Sequence, residues 1–248
     1  SLDVIAMYAP NWAFVRKGVD FTVQIMLAYL FLGLVFLIIN QKRLLYVSFF
    51  CCATLCLFLK QSSNSHLRFP ETRNDEKVSV AHFNTSSAIE GYASLIDVIK
   101  KTDADIYSFQ EVTPDWEIQL KEALAISHPY SVSNVRIDPY GMAIFSKRPI
   151  NTYDTFHYQE IPHQLINIPV SEENCINLIN AHVLPPLSQR LNEKTKEHLN
   201  KIAEKINKLE GPSIVLGDFN LVYWSNEIRN FRSKAKLDNS RRDVSKTF

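Results

Sequence analysis

SIVLGDFN (213–220) runs three branched or apolar residues, Ile214, Val215 and Leu216, into a glycine, then delivers an aspartate and an asparagine within three positions. The apolar run reads as a strand buried on both faces, and Gly217 frees the backbone that leaves it. Asp218 and Asn220 then admit two readings. They form a turn in which each side chain bonds its own backbone, or they sit on a rigid strand end that serves as a mount for chemistry. The neighbouring elements choose between these.

INLINAHV (176–183) predicts another strand, and Ser188–Leu209 a helix with Leu191, Thr195, Leu199, Ile202, Ile206 and Leu209 in register. Earlier, VSVAHFN (78–84), a helix over Ala88–Lys101 and DIYSFQE (105–111) repeat the same strand–helix–strand order. A short helix over Pro114–Ile126, the strand GMAIFSK (141–147) and a weaker strand near 164–170 complete the series. A strand–helix–strand unit with short links makes its two strands parallel, with a right-handed crossover. Parallel strands end at one edge, and ligands of open α/β sheets collect there. At that edge stand Asn84 and Gln110-Glu111 in one unit, His182 and Asp218 with Asn220 in the other. These are metal-ligating, acid–base and phosphate-contacting side chains.

The first 60 residues differ from the rest. Residues 21–39 and 44–59 carry no charge, and Gln41-Lys42-Arg43 links them into a hairpin. The first run meets the roughly 17-residue minimum for a spanning helix, and the second is marginal. A membrane-anchor region (1–60), a polar linker (61–76) and a soluble domain from residue 77 follow. Lys42-Arg43 favours a cytoplasmic link, while Arg16-Lys17 pulls the other way. A net charge of +1 over 248 residues disfavours nucleic acid as a partner. Three of the four cysteines lie in the second apolar run, so Cys175 is alone and no disulfide framework exists.

In this order, Asn84, Gln110-Glu111, YGMAIFSK, Asn180-Ala181-His182 and Gly217-Asp218-Phe219-Asn220 resemble the endonuclease/exonuclease/phosphatase superfamily, and within it a membrane-anchored bacterial branch that includes teicoplanin-resistance-type proteins. The resemblance implies an α/β fold of two packed β-sheets flanked by helices, incomplete at the C-terminus here, behind a transmembrane hairpin. It implies a phosphodiesterase or phosphatase using Mg²⁺, with Mn²⁺ as a substitute. Glu111 would hold the ion with Asn84 and Gln110 close by. Asp218 would orient or deprotonate the attacking water, Asn220 would donate to the phosphate, and His182 would stabilise charge on a non-bridging oxygen. Tyr140, Asn180 and Trp224 are the candidate substrate contacts, with packing as the alternative for Tyr140 and Trp224. The branch places its catalytic domain outside the cytoplasmic membrane, where a lipid-linked phosphate ester is a fitting substrate.

The family's last motif, an Asp-His pair, has no counterpart after Asn220, where no histidine occurs. Two expectations follow: a fragment of a longer active protein, or a chain that keeps the fold as an inactive binding module.

Overall fold

The computed structural model describes residues 21–62, 77–85, 91–186 and 188–240. The chain divides into two compact units, one of Pro70–Leu184 with Glu204–Asn220, the other of Ser1–Phe69, Pro185–Ala203 and Leu221–Phe248. The expected linker falls almost wholly outside the described residues. The hairpin, set apart in the sequence reading, clusters with two later segments of the chain.

The first unit carries both sheets. In sheet A, β1 (Val80–Asn84) pairs parallel with β2 (Ile106–Gln110), followed by β4 (Met142–Ser146) and β3 (Tyr130–Asn134), both pairings antiparallel. In sheet B, β5 (Thr152–Tyr158), β6 (Ile161–Pro169) and β7 (Cys175–His182) run antiparallel, and β8 (Ser213–Asp218) joins β7 in parallel. Both expected parallel pairs are therefore present, one in each sheet.

Period-two alternation sorts the side chains. Tyr107 and Phe109 on β2 and Ala143 and Phe145 on β4 form one cluster with Ile99 from helix α3 (Tyr92–Thr102) and with Trp116, Leu120 and Leu124 from helix α4 (Pro114–Leu124). Alternate residues Ile106 and Ile144 face the other way and meet Ile166, Ile168 and Leu178 of sheet B. The result is two packed mixed sheets with helices on the outer face of sheet A. Helix α4 starts where the sequence demands: Thr113 accepts a hydrogen bond from the Trp116 N–H, and Pro114 fills the first turn.

In the second unit, α1 (Thr22–Ile38) and α2 (Lys42–Ser62) form the apolar hairpin. They approach closely at Gly33, where a Cβ would stand 2.7 Å from the Phe49 ring. Their roles are the reverse of the expectation. Residues Lys42–Lys60 are long and apolar enough to cross a membrane, whereas α1 has 17 residues. At 1.5 Å per residue α1 is about 26 Å long against about 29 Å for Lys42–Lys60, so α1 sits at the lower limit for a spanning helix and α2 clears it. α2 gains length because Lys42, Arg43 and Lys60 join the helix. Leu27, Phe31, Leu34, Leu37, Tyr46 and Phe50 all lie more than 45% exposed on this hairpin. This unit also holds most of α5 (Gln189–Ile206) and all of α6 (Asn226–Ala235), a helix capped by the Ser225 hydroxyl and absent from the sequence reading.

Candidate active site

All the strand-end residues of the site belong to the first unit. Glu111 leaves β2 with φ 59° and Asn220 follows β8 with φ 52°, both in the left-handed region that costs a non-glycine residue free energy. Each is held by hydrogen bonds. The Thr85 hydroxyl reaches the Glu111 carbonyl at 2.7 Å and the Gln110 carbonyl at 3.1 Å. The Asn220 N–H donates to Asp218 Oδ1 at 2.8 Å, and Asn220 Nδ2 donates to the Val183 carbonyl at 2.9 Å. Asp218 therefore makes the local bond expected of a turn former and also presents its carboxylate at a strand end, so both readings of SIVLGDFN hold.

These turns bring Glu111, His182 and Asp218 together: one ligand-type atom from each lies within 4.8 Å of the others. Asn84 Nδ2 donates to Glu111 Oε1 at 2.8 Å and so orients that carboxylate. His182 is buried; burial pulls its pKa below the ordinary histidine value, against the opposing fields of Asp218 and Glu111. Tyr140 stands edge-on to the His182 ring, 5.2 Å between centroids. Its loop is braced by Asp138, which takes the Tyr140 N–H and a two-pronged ion pair from Arg136. Burial raises the Tyr140 pKa, so the phenol stays protonated.

Two carboxylates and a neutral imidazole make a donor set suited to a hard or borderline divalent cation. The residues present fit the implied metal on that chemistry and on their convergence. Lys147, just past the end of β4, pairs with Asp103 at 2.6 Å.

Beneath this rim lies a second polar layer. Gln110 is fully buried; its Nε2 donates to Asn180 Oδ1 at 3.1 Å and the Ala181 carbonyl at 2.6 Å, and its Oε1 takes the Asp218 N–H at 2.7 Å. Asn180, also fully buried, donates to the Phe109 carbonyl and to Gln164 Oε1. The expected metal contact by Gln110 and substrate contact by Asn180 give way to structural roles, because both amides are spent tying sheet A to sheet B. Trp224 is likewise 1% exposed, packed with Tyr223, Phe58 and Leu59 in the other unit, and has no face to offer a substrate.

Two contributors, Thr85 and His82, escaped the sequence reading, and Gly217 does more than free the backbone. Thr85 braces the turn at Glu111. Gly217 (φ 136°) brings β8 so close to β7 that a Cβ would stand 1.9 Å from the Ala181 carbonyl. His82, two residues before Asn84 on the same face of β1, contacts Ser108 at 3.3 Å. Burial lowers its pKa to about 4, with Asp218 opposing and His182 reinforcing the shift. His82 carries a legible signal, a polar residue at the inward parity of an apolar strand; Thr85 carries none.

The sequence model of the endonuclease/exonuclease/phosphatase family matches residues 81–247. Comparison with curated proteins finds no match in sequence. Among solved structures, a β-hairpin deletion mutant of Staphylococcus aureus beta toxin superposes with TM-score 0.53 at 14% identity, over 66% of this chain and 74% of its own. A humanized D. rerio TDP2 carrying 14 mutations gives 0.52 at 14% identity, over 66% and 72%. D. rerio TDP2 complexed with single-strand DNA product gives 0.51 at 18% identity, over 62% and 64%. At these identities the likeness is one of fold.

Proposed function

Because the chain belongs to the endonuclease/exonuclease/phosphatase family, we propose that it is a membrane-attached, divalent-metal-dependent hydrolase of phosphodiester or phosphomonoester bonds. The observation that carries this reading is the convergence of Glu111, His182 and Asp218 from three separate strand ends. Glu111, oriented by Asn84, would hold Mg²⁺ or Mn²⁺, with substrate phosphate oxygens and water completing the shell. The ion, when bound, supplies charge stabilisation to the phosphoryl oxygens. Asp218 orients the attacking water and accepts its proton, with its carboxylate fixed by the Asn220 N–H. Asn220 has a second amide hydrogen to give a phosphate oxygen, and neutral His182 donates an N–H to another. Tyr140 walls the site beside His182.

The exposed apolar surface of the hairpin, together with the length of α2, supports membrane attachment. An ester carried by a lipid suits a tethered enzyme, and a net charge of +1 provides no broad basic field for nucleic acid. We place the catalytic domain on the extracytoplasmic side of the cytoplasmic membrane, with Lys42-Arg43 on the cytoplasmic side.

The full-length protein in detergent micelles should hydrolyse bis-p-nitrophenyl phosphate with added Mg²⁺ and stop with chelator. Glu111→Gln and Asp218→Asn should each lower the rate at least about a hundredfold. In calorimetry, Glu111→Gln should also weaken Mn²⁺ binding, a readout independent of turnover. Hydrolysis retained by either variant overturns the assignment.

A further inference from the structure

The segment that leads into helix α6 docks at one end of the hairpin. Phe58 and Leu59, near the end of α2, cluster with Tyr223 and Trp224, and Val23 and Met26 from the start of α1 join them. The first residues of α1 and the last of α2 mark the open end of an antiparallel pair. Phe58 lies two residues before Lys60, about 3 Å along the axis, so this cluster is level with the last apolar turn of the span. Tyrosine and tryptophan favour that depth in membrane proteins. Arg229, which also donates to Asn226 Oδ1, places its guanidinium 5.7 Å from the Phe58 ring centroid and brings the first turn of α6 to the same level.

The faces of α6 are divided. Ile228, Phe231 and Ala235 are buried. Arg229 and Arg232 are half-buried, and Lys234 and Lys236 are exposed. The single acid of the helix, Glu227, lies 3.9 Å from Lys196 of α5, so the helix carries a clear cationic excess. In a soluble protein this is an ordinary solvated face. At the mouth of a membrane hairpin it meets headgroups.

Resting on the membrane reading above, we propose that α6 is an interfacial helix whose Arg229, Arg232 and Lys234, with Lys236 at its C-cap, bind the phosphates of anionic lipids at the open end of the α1–α2 hairpin. Basic groups at a membrane surface are drawn to anionic leaflets, and the attraction fades within a Debye length. Val222 joins Tyr223 and Trp224 in that cluster.

The test uses the full chain with its four cysteines replaced, bearing an environment-sensitive fluorophore on Asn230→Cys, an exposed α6 position, or on Phe50→Cys, 70% exposed on α2. Each is reconstituted in vesicles of phosphatidylcholine alone and of phosphatidylcholine mixed with phosphatidylglycerol. The label at 230 should be quenched by headgroup-attached quenchers in the mixed vesicles and much less in the neutral ones. Each cation removed should lower the docked fraction relative to the undocked about fivefold. Lys234→Gln/Lys236→Gln, at exposed positions where the change gives up the Lys234 contact to Asn200 Oδ1 at 2.7 Å but no buried apolar surface, should act in the same direction as high salt on the unsubstituted helix. A label at 50 quenched by acyl-chain quenchers, with the label at 230 in water in both vesicles, overturns the proposal and leaves membrane attachment standing. Quenching at 230 indifferent to lipid charge, to salt and to the lysine pair also overturns it. Quenching at neither position defeats the membrane reading and the proposal with it.

Discussion

Gln110→Met tests the layer on which the site rests. Methionine has nearly the volume of glutamine and neither donates nor accepts a normal hydrogen bond. Three polar groups lose their partner: the Asp218 N–H, the Ala181 carbonyl and Asn180 Oδ1. An unsatisfied buried group costs about 1–3 kcal/mol, so the gross loss is about 3–9 kcal/mol. Water reaching the half-buried Asp218 recovers part of it, leaving an expected loss of about 3–5 kcal/mol, a large share of a typical 5–15 kcal/mol domain stability. Urea unfolding of the full chain in micelles, read from Trp116 fluorescence with Trp12 and Trp224 replaced by Phe, reports on the unit that contains the site. A second signature follows from shared partners: Gln110→Met and Asn180→Leu should cost less together than the sum of their separate effects, because each already breaks the bond between them. A loss under about 1 kcal/mol for Gln110→Met, or additive singles, refutes the bridging role.

Gly217→Ala should destabilise the same unit by at least about 3 kcal/mol and cut hydrolysis, since the new methyl would sit 1.9 Å from the Ala181 carbonyl, an overpacking no rotamer relieves; rate and urea midpoint read it together. Acid should unfold the protein through two histidines whose surroundings hold them neutral, the half-buried His82 and the buried His128. Burial lowers the pKa of His82 to about 4 and lowers that of His128, whose ring nitrogens contact the Ala104 carbonyl and the Ser127 hydroxyl. The unfolded chain therefore takes up these protons first, and stability that is complete above pH 6.5 falls as pH drops from 6.5 toward 4. For His82 this amounts to about 1.4 kcal/mol per pH unit, on the order of 3 kcal/mol across the interval. His82→Gln should flatten the fall in a pH series of urea titrations.

The two parallel pairs were legible because their strands are continuous apolar runs broken by helices of clear period. β3 and β5 were not. Tyr130–Asn134 and Thr152–Tyr158 are edge strands with much of their length exposed, so their sequences lack the apolar alternation that marks a half-buried strand. Ser225, Ile228, Phe231 and Ala235 carry the capping and spacing of α6 in plain view.

The site was legible in residue type and position but not in depth. Asn84 and His82 share one face of β1, and His182 and Asn180 share one face of β7. In each pair the terminal residue reaches the rim and the other lies a layer below. On β2 the division falls between adjacent residues: Gln110 ends the strand facing sheet B, and Glu111 escapes only because its backbone turns left-handed. Depth depends on where each strand stops relative to strands far away in the chain, a tertiary quantity that no local pattern encodes. The lower layer explains why a glutamine should precede the glutamate at all. Two sheets that meet only through apolar side chains would leave the relative height of β2 and β8 to packing alone. The Gln110 amide, bonded at both ends, fixes it through directional contacts, and with it the approach of Glu111 to Asp218 on which any shared cation would depend.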